Sequence, residues 1–187
     1  MKPAYFSVRE YVFAALMAGG QFVCSSLTIP LTFALAMFGV NVIVYAPFGA
    51  FFLVLGLIRL RKPGSLALMG LLYALIGLII APVIFCFVIS SALLAEAVCT
   101  VVFRGYGSRV AQLTGAVLHY SLMLPASLVF SLWLMPRDYM TAHFQAGVVA
   151  WLVAEGLIVI GSLAGGLLAM LVARELKRAG KLRTEES

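Results

Sequence analysis

Residues 62–96 read KPGSLALMGLLYALIGLIIAPVIFCFVISSALLAE, with 33 uncharged positions in a row between Lys62 and Glu96. Carried on to Phe103 as one helix, the segment from Pro63 would measure about 60 Å, twice the ~30 Å hydrocarbon core of a bilayer. It has to turn. Ala81-Pro82 is the place, because proline lacks a backbone N–H and disfavours helical backbone in the residue before it. The stretch is therefore two membrane spans, about 64–80 and 82–103, joined by almost no loop.

The same measure applied outward gives the rest of the fold. Between Glu10 and Arg59 lie 48 uncharged residues, enough for two crossings with a turn somewhere from Pro30 to Asn41. Downstream, two further apolar stretches complete a set of six spans at about 10–29, 42–60, 64–80, 82–103, 110–134 and 146–175. The apolar runs are continuous and lack the period-two alternation of a membrane β-barrel, so they are read as helices. The prediction is an all-α integral membrane protein forming a single six-helix domain over 1–187. Tyr11–Ile29 is too long for a signal-peptide core and lacks a small-x-small cleavage site after it, so it is read as the first span.

Composition agrees: 64% of the 187 residues are hydrophobic and 11% charged, with a mean hydropathy of +1.11. A soluble domain carries about 25% charged residues. The formal net charge of +6 does not point to nucleic acid, because the basic residues flank the spans. With the N-terminus inside, twelve of them fall on the cytoplasmic side: Lys2 and Arg9; Arg59, Arg61 and Lys62; Arg104 and Arg109; and Arg174, Lys177, Arg178, Lys181 and Arg183. Arg137 alone falls outside. That asymmetry predicts both termini in the cytoplasm and an even number of spans.

The segment 30–41 has two readings. It is either a bent half-helix or apolar loop folded over the outer face, or the start of a long tilted second helix running from Leu31 to Arg59.

Ionisable residues inside spans are functional candidates by default, and away from the span ends there are two acids, Glu96 and Glu155. Glu96 lies eight residues before Arg104, about 12 Å from the cytoplasmic end of its helix. It is expected to hydrogen-bond neighbouring helices or to pair with Arg59 or Arg104. Glu155 lies near the outer surface, one helical turn after Trp151 and downstream of His143, Gln145 and the Arg137-Asp138-Tyr139 loop. This collection is either a ligand site or interfacial anchoring by aromatic residues. His119 and Tyr120, about 15 Å from Arg109 and near the midplane, with Met123 one turn on, read either as a ligand or haem contact or as satisfied packing residues.

Small residues mark close helix packing: Ala14-x-x-x-Ala18 with Gly19 in the first span, and Gly161-x-x-x-Gly165 with Gly166 in the last. Cys24, Cys86 and Cys99 are odd in number, lie inside apolar runs and match no zinc spacing, so no metal site, disulfide or cofactor is expected from them. No P-loop, H-E-x-x-H pair or nucleophile elbow is present, and no catalytic residue is assigned.

The chain resembles the substrate-binding S components of energy-coupling factor (ECF) transporters, especially the MptD-type (Trep_Strep) group. The resemblance is carried by the six-span layout, the Ser7-Val8-Arg9-Glu10 lead into span one, Ala14-x-x-x-Ala18 and Arg61-Lys62-Pro63-Gly64 between spans two and three. It continues in Leu94-Ala95-Glu96-Ala97 ahead of Arg104-Gly105-Tyr106 and in the Gly-rich last span ending Arg174-Glu175-Leu176-Lys177-Arg178. It implies a receptor in the cytoplasmic (inner) membrane that captures a small vitamin-like or micronutrient ligand from outside and topples within the bilayer to deliver it. Partners implied are a transmembrane coupling protein, contacted through Ala14, Ala18 and Gly19, and two cytoplasmic ATPases. The ligand would sit beneath the loop joining spans one and two, placing Asn41, Tyr45, His119, Trp151 and Glu155 near it. Glu96 would be a structural polar residue. Two other readings stay open: a membrane-embedded enzyme using Glu96, His119 and Glu155, and a stand-alone small transporter.

Overall fold

A computed structural model describes residues 6–34, 39–134 and 147–179. Among these residues six helices follow one another: α1 (Val8–Ala34), α2 (Val40–Leu60), α3 (Ser65–Ile80), α4 (Pro82–Phe103), α5 (Arg109–Leu134) and α6 (Gly147–Arg178). Among the described residues there is no strand. Five of the helices are long and apolar enough to cross a membrane. The sixth, α3, has 16 residues, about 24 Å, and is apolar throughout. The chain is a multi-pass membrane protein.

Local chemistry sets the helix ends. Ser7 and Glu10 form a reciprocal capping box at the start of α1: the Ser7 N–H donates to Glu10 Oε2 at 2.6 Å and the Glu10 N–H to Ser7 Oγ at 3.4 Å. Glu10 also pairs with Lys62 Nζ at 2.7 Å, tying α1 to the α2–α3 turn. Between α3 and α4, Ala81 is extended and Pro82 opens the next helix, as the proline rule requires. Ser108 caps α5, its Oγ accepting from the Ala111 N–H at 3.1 Å. Helices α2 and α4 both end in an arginine with left-handed backbone, Arg61 at φ 52° and Arg104 at φ 59°, a position where glycine is usual.

Of the segment 30–41, the structure describes residues 30–34 and 39–41. Helix α1 continues through Pro30 to Ala34 and α2 begins at Val40 after a left-handed Gly39. The extra length thus belongs to the first helix rather than to a second helix starting at Leu31. Residues 35–38 lie outside the described residues.

Helix α2 is the hub, packing against α1, α3, α5 and α6, while α4 lies between α3 and α5. The α2–α6 seam is built on the predicted small-residue motif. Gly161 and Gly165 face Pro47 of α2: a β-carbon at Gly161 would lie 3.2 Å from the Pro47 ring, and one at Gly165 would run into the Pro47 backbone. Missing β-carbons are what let the two backbones approach this closely. The same device joins α3 to α4, where a β-carbon on Gly70 would collide with Ala92.

Candidate ligand site in the helical interior

Two polar groupings sit inside this apolar bundle, at different depths. The first is centred on Glu96, near the end of the bundle where α2 meets α3 and α4 meets α5. Glu96 Oε1 accepts from the Gly64 N–H at 2.7 Å and from Thr100 Oγ1 at 2.9 Å. Its Oε2 accepts from the Leu66 and Ala67 N–H groups at 3.0 and 3.2 Å and from the Tyr106 hydroxyl at 3.1 Å. Helix α3 has no side-chain cap of its own at Gly64. A carboxylate on α4 caps it instead, where the helix dipole also favours a negative charge. Neither Arg59 nor Arg104 is the partner. Burial and the adjacent Glu96 carboxylate push the Tyr106 phenol well above the ordinary tyrosine range, so it remains a donor. Gln112 Nε2 donates to the Tyr106 carbonyl at 2.8 Å, and the Tyr106 N–H to the Arg61 carbonyl at 3.2 Å, so the α2–α3 and α4–α5 turns are clamped together.

The second grouping lies deeper. The inward face of α1 carries Ala14, Ala18, Gln21, Ser25 and Thr28, each three or four residues after the last. Gln21, about 20 Å along α1 from Val8, is 2% exposed. Its Oε1 accepts from the Tyr45 hydroxyl at 3.2 Å and from the Tyr120 hydroxyl at 3.3 Å, linking α1, α2 and α5. Tyr45 stacks on Tyr73 of α3 with centroids 5.7 Å apart and meets Tyr120 edge-on at 5.7 Å. Gly49 makes room for this, since a β-carbon there would fall on the Tyr45 and Tyr120 rings. Tyr120 continues edge-on to His119 at 4.9 Å, and His119 Nδ1 lies 3.2 Å from Ser91 Oγ of α4. Five helices therefore contribute to one continuous polar and aromatic layer. Gln21 Nε2 is buried and has no hydrogen-bond partner, a state that costs about 1–3 kcal/mol when left unrelieved.

Above this layer Gly39, just before α2, is packed inward. A β-carbon at Gly39 would lie 3.2 Å from Leu124 Cδ1 of α5 and 3.5 Å from Ala154 Cβ of α6. Ala154 is seven residues past the start of α6, so Gly39 sits about 10 Å below that end. Trp151 is half-buried against the core, and Glu155, also half-buried, shares a helix face with Ile158 and Ser162. Among the described residues no cation or hydrogen-bond donor engages the Glu155 carboxylate.

The structure thus brings Tyr45 and His119 together through Tyr120. It leaves Asn41 exposed in the first turn of α2 and sets Trp151 and Glu155 on α6. Residues 137–139, 143 and 145, expected near them, lie outside the described residues. Glu96, His119 and Glu155 do not converge: Glu96 is committed to the α3 terminus and His119 to Ser91. Among the described residues no three His, Cys, Asp or Glu side chains gather as metal ligands. Ala14 and Ala18 are fully buried, packed against this chain's own helices, and so are not available to a partner in this packing. On the same helix Gly19 has nothing within 4 Å of where a β-carbon would be, and Ala15 beside it is exposed. Sequence reasoning missed Gln21, Tyr73 and Ser91. The available signal was register, since Gln21 and Ser25 continue the Ala14–Ala18 face outward.

No known protein family matches the chain, and no curated protein does. In fold, the chain is similar to a crystal structure of an S-component of an ECF transporter, with a TM-score of 0.62 and 21% sequence identity. The likeness covers 95% of this chain and 89% of the other.

Proposed function

We propose that this protein is the substrate-binding subunit of an ECF-type importer, of the MptD-type group its motifs resemble. The observation that carries the reading is the fold likeness to an S component across 95% of the chain. In this reading all of 1–187 is one domain, α3 makes the sixth crossing, and both termini face the cytoplasm, as the twelve-to-one distribution of basic residues favours. The protein lies in the cytoplasmic membrane and hydrolyses nothing itself. A small ligand enters from the outer side beneath the α1–α2 turn, which serves as the gate. The layer of Gln21, Tyr45, Tyr73, Tyr120 and His119 forms the floor, and Trp151 and Glu155 stand on the α6 wall with Asn41 at the rim. Release follows rotation of the whole subunit within the bilayer against a coupling protein driven by two cytoplasmic ATPases. The outer face of α1 around Ala15 and Gly19 is the contact for that partner, in place of Ala14 and Ala18.

The test is affinity purification of the tagged full chain in mild detergent, with mass spectrometry of associated proteins and retained small molecules. Recovery of a coupling membrane protein with paired ATPases is the expected result. A chain that purifies alone, under conditions that preserve a known ECF complex, refutes the reading.

A further inference from the structure

The inward face of α1 changes character halfway along. Its inner half presents Ala14 and Ala18, and its outer half presents Gln21, Ser25 and Thr28. Across from the polar half stand the stacked Tyr45 and Tyr73 rings, Tyr120, and the Ser91–His119 pair. None of these groups carries a fixed charge. Together they offer flat aromatic faces and neutral donors and acceptors, which suits an uncharged planar ring better than an ion. One polar group in the layer is unfinished: both phenols of Tyr45 and Tyr120 engage the same end of the Gln21 amide, leaving Nε2 buried without a partner. Exchanging the amide oxygen and nitrogen leaves the problem in place, because the opposite end is then the orphan.

We infer that the Gln21–Tyr45–Tyr120 layer recognises an uncharged, planar heterocycle bearing a lactam edge, with the free end of the Gln21 amide completing the contact. A lactam sets a carbonyl acceptor beside an N–H donor, so it complements a carboxamide in either orientation. The inference rests on the S-component reading for the presence of a ligand and adds the ligand's chemical class. Nε2 is covered in this packing, so the ligand reaches it as the Tyr45 and Tyr120 rings swing aside.

The full chain, purified in detergent and freed of bound small molecules, is titrated with lumazine, xanthine and uracil as neutral lactams. Benzoate and benzyltrimethylammonium serve as an anionic and a cationic ring, and the readout is the thermal unfolding midpoint, which a native-state ligand raises. The expected result is stabilisation by at least one lactam and by neither charged ring. Gln21→Leu should weaken that lactam about 10–100-fold, the loss of one buried hydrogen bond. Removing the lactam edge from the active ring (pteridine for lumazine, purine for xanthine, pyrimidine for uracil) should do the same on the unaltered protein, so the test survives if the variant fails to fold. Stabilisation by a charged ring instead, no stabilisation by any lactam, or unchanged lactam binding in both comparisons overturns the inference and leaves the Gln21 amide to an ordered water. The purification experiment separates the two readings. A complex with ATPases but no lactam binding removes only the ligand class, whereas Gln21-dependent lactam binding without such a complex removes only the S-component reading.

Discussion

Replacing Glu96 by alanine should destabilise the protein by about 3–5 kcal/mol, the range for uncovering partners of a buried charged group. The figure follows from what the carboxylate holds. Three backbone N–H groups at the start of α3, the Thr100 hydroxyl and the Tyr106 hydroxyl all donate to it, at 2.7 to 3.2 Å. Hydrogen bonds to charged groups contribute about 1.5–3 kcal/mol each, so a simple sum would exceed the expected loss. The sum overstates it because the α3 terminus lies at the end of the bundle, where water can replace part of the cap. Glu96→Gln should cost less than alanine but still about 2 kcal/mol, since its NH2 must face one of the donors that Oε1 or Oε2 now receives. Tyr106→Phe removes one donor and should cost about 1–2 kcal/mol. In a double-mutant cycle, Glu96→Ala and Tyr106→Phe should be non-additive, because the second change removes a partner already lost. Thermal unfolding in detergent, followed by far-UV circular dichroism, measures the parent and its four variants. At about 2–4 °C per kcal/mol for a chain of this size, the alanine variant should melt about 6–20 °C lower. An alanine variant within 2 °C of the parent would refute the capping argument. Lost ligand binding at unchanged stability would make Glu96 a functional residue instead.

Gly165→Leu should abolish the folded monomer, because the new side chain meets the Pro47 backbone; loss of the monodisperse peak in size-exclusion chromatography checks this, and a stable variant would mean the α2–α6 seam can open. Gly19→Trp should fold normally yet lose any coupling-protein complex, whereas Ala18→Trp should fail to fold, since Ala18 is fully buried; pull-down and melting temperature together separate the two. Tyr45→Phe and Tyr120→Phe each remove one donor to Gln21 Oε1 and should cost about 1 kcal/mol, read as a lower unfolding midpoint. Lys62→Ala breaks a partly exposed ion pair with Glu10 and should cost no more than about 1 kcal/mol, less at high salt; a larger melting shift would show that the pair anchors α1.

Fold legibility followed from the membrane itself. A bilayer sets one length and forbids unpaired backbone polar groups, so uncharged run length, Ala81-Pro82 and the basic clusters located five of the six described helices to within about three residues. The extension of α1 past Pro30 was not legible. A proline inside a helix costs one hydrogen bond at an end where neighbouring packing can compensate, and length alone does not say which helix takes the surplus. Partner choice was less legible still. The spacing of Ala14 and Ala18 announces a close helix contact, yet that contact is with this chain's own core, because small-residue faces serve internal and external packing alike. Glu96 was readable as a buried acid but not as the cap of a helix 30 residues earlier. Gln21 was legible only through its register with the Ala14–Ala18 face, because a single amide in an apolar run carries no motif of its own. What the sequence determined by itself was the position of most of the described helices along the chain and their polarity, which depend on nearest neighbours and on the solvent. What the tertiary structure decided was which face of each helix looks inward. That depends on contacts between residues far apart in the chain, such as Gln21 with Tyr120, and those form only once α1, α2 and α5 are packed together.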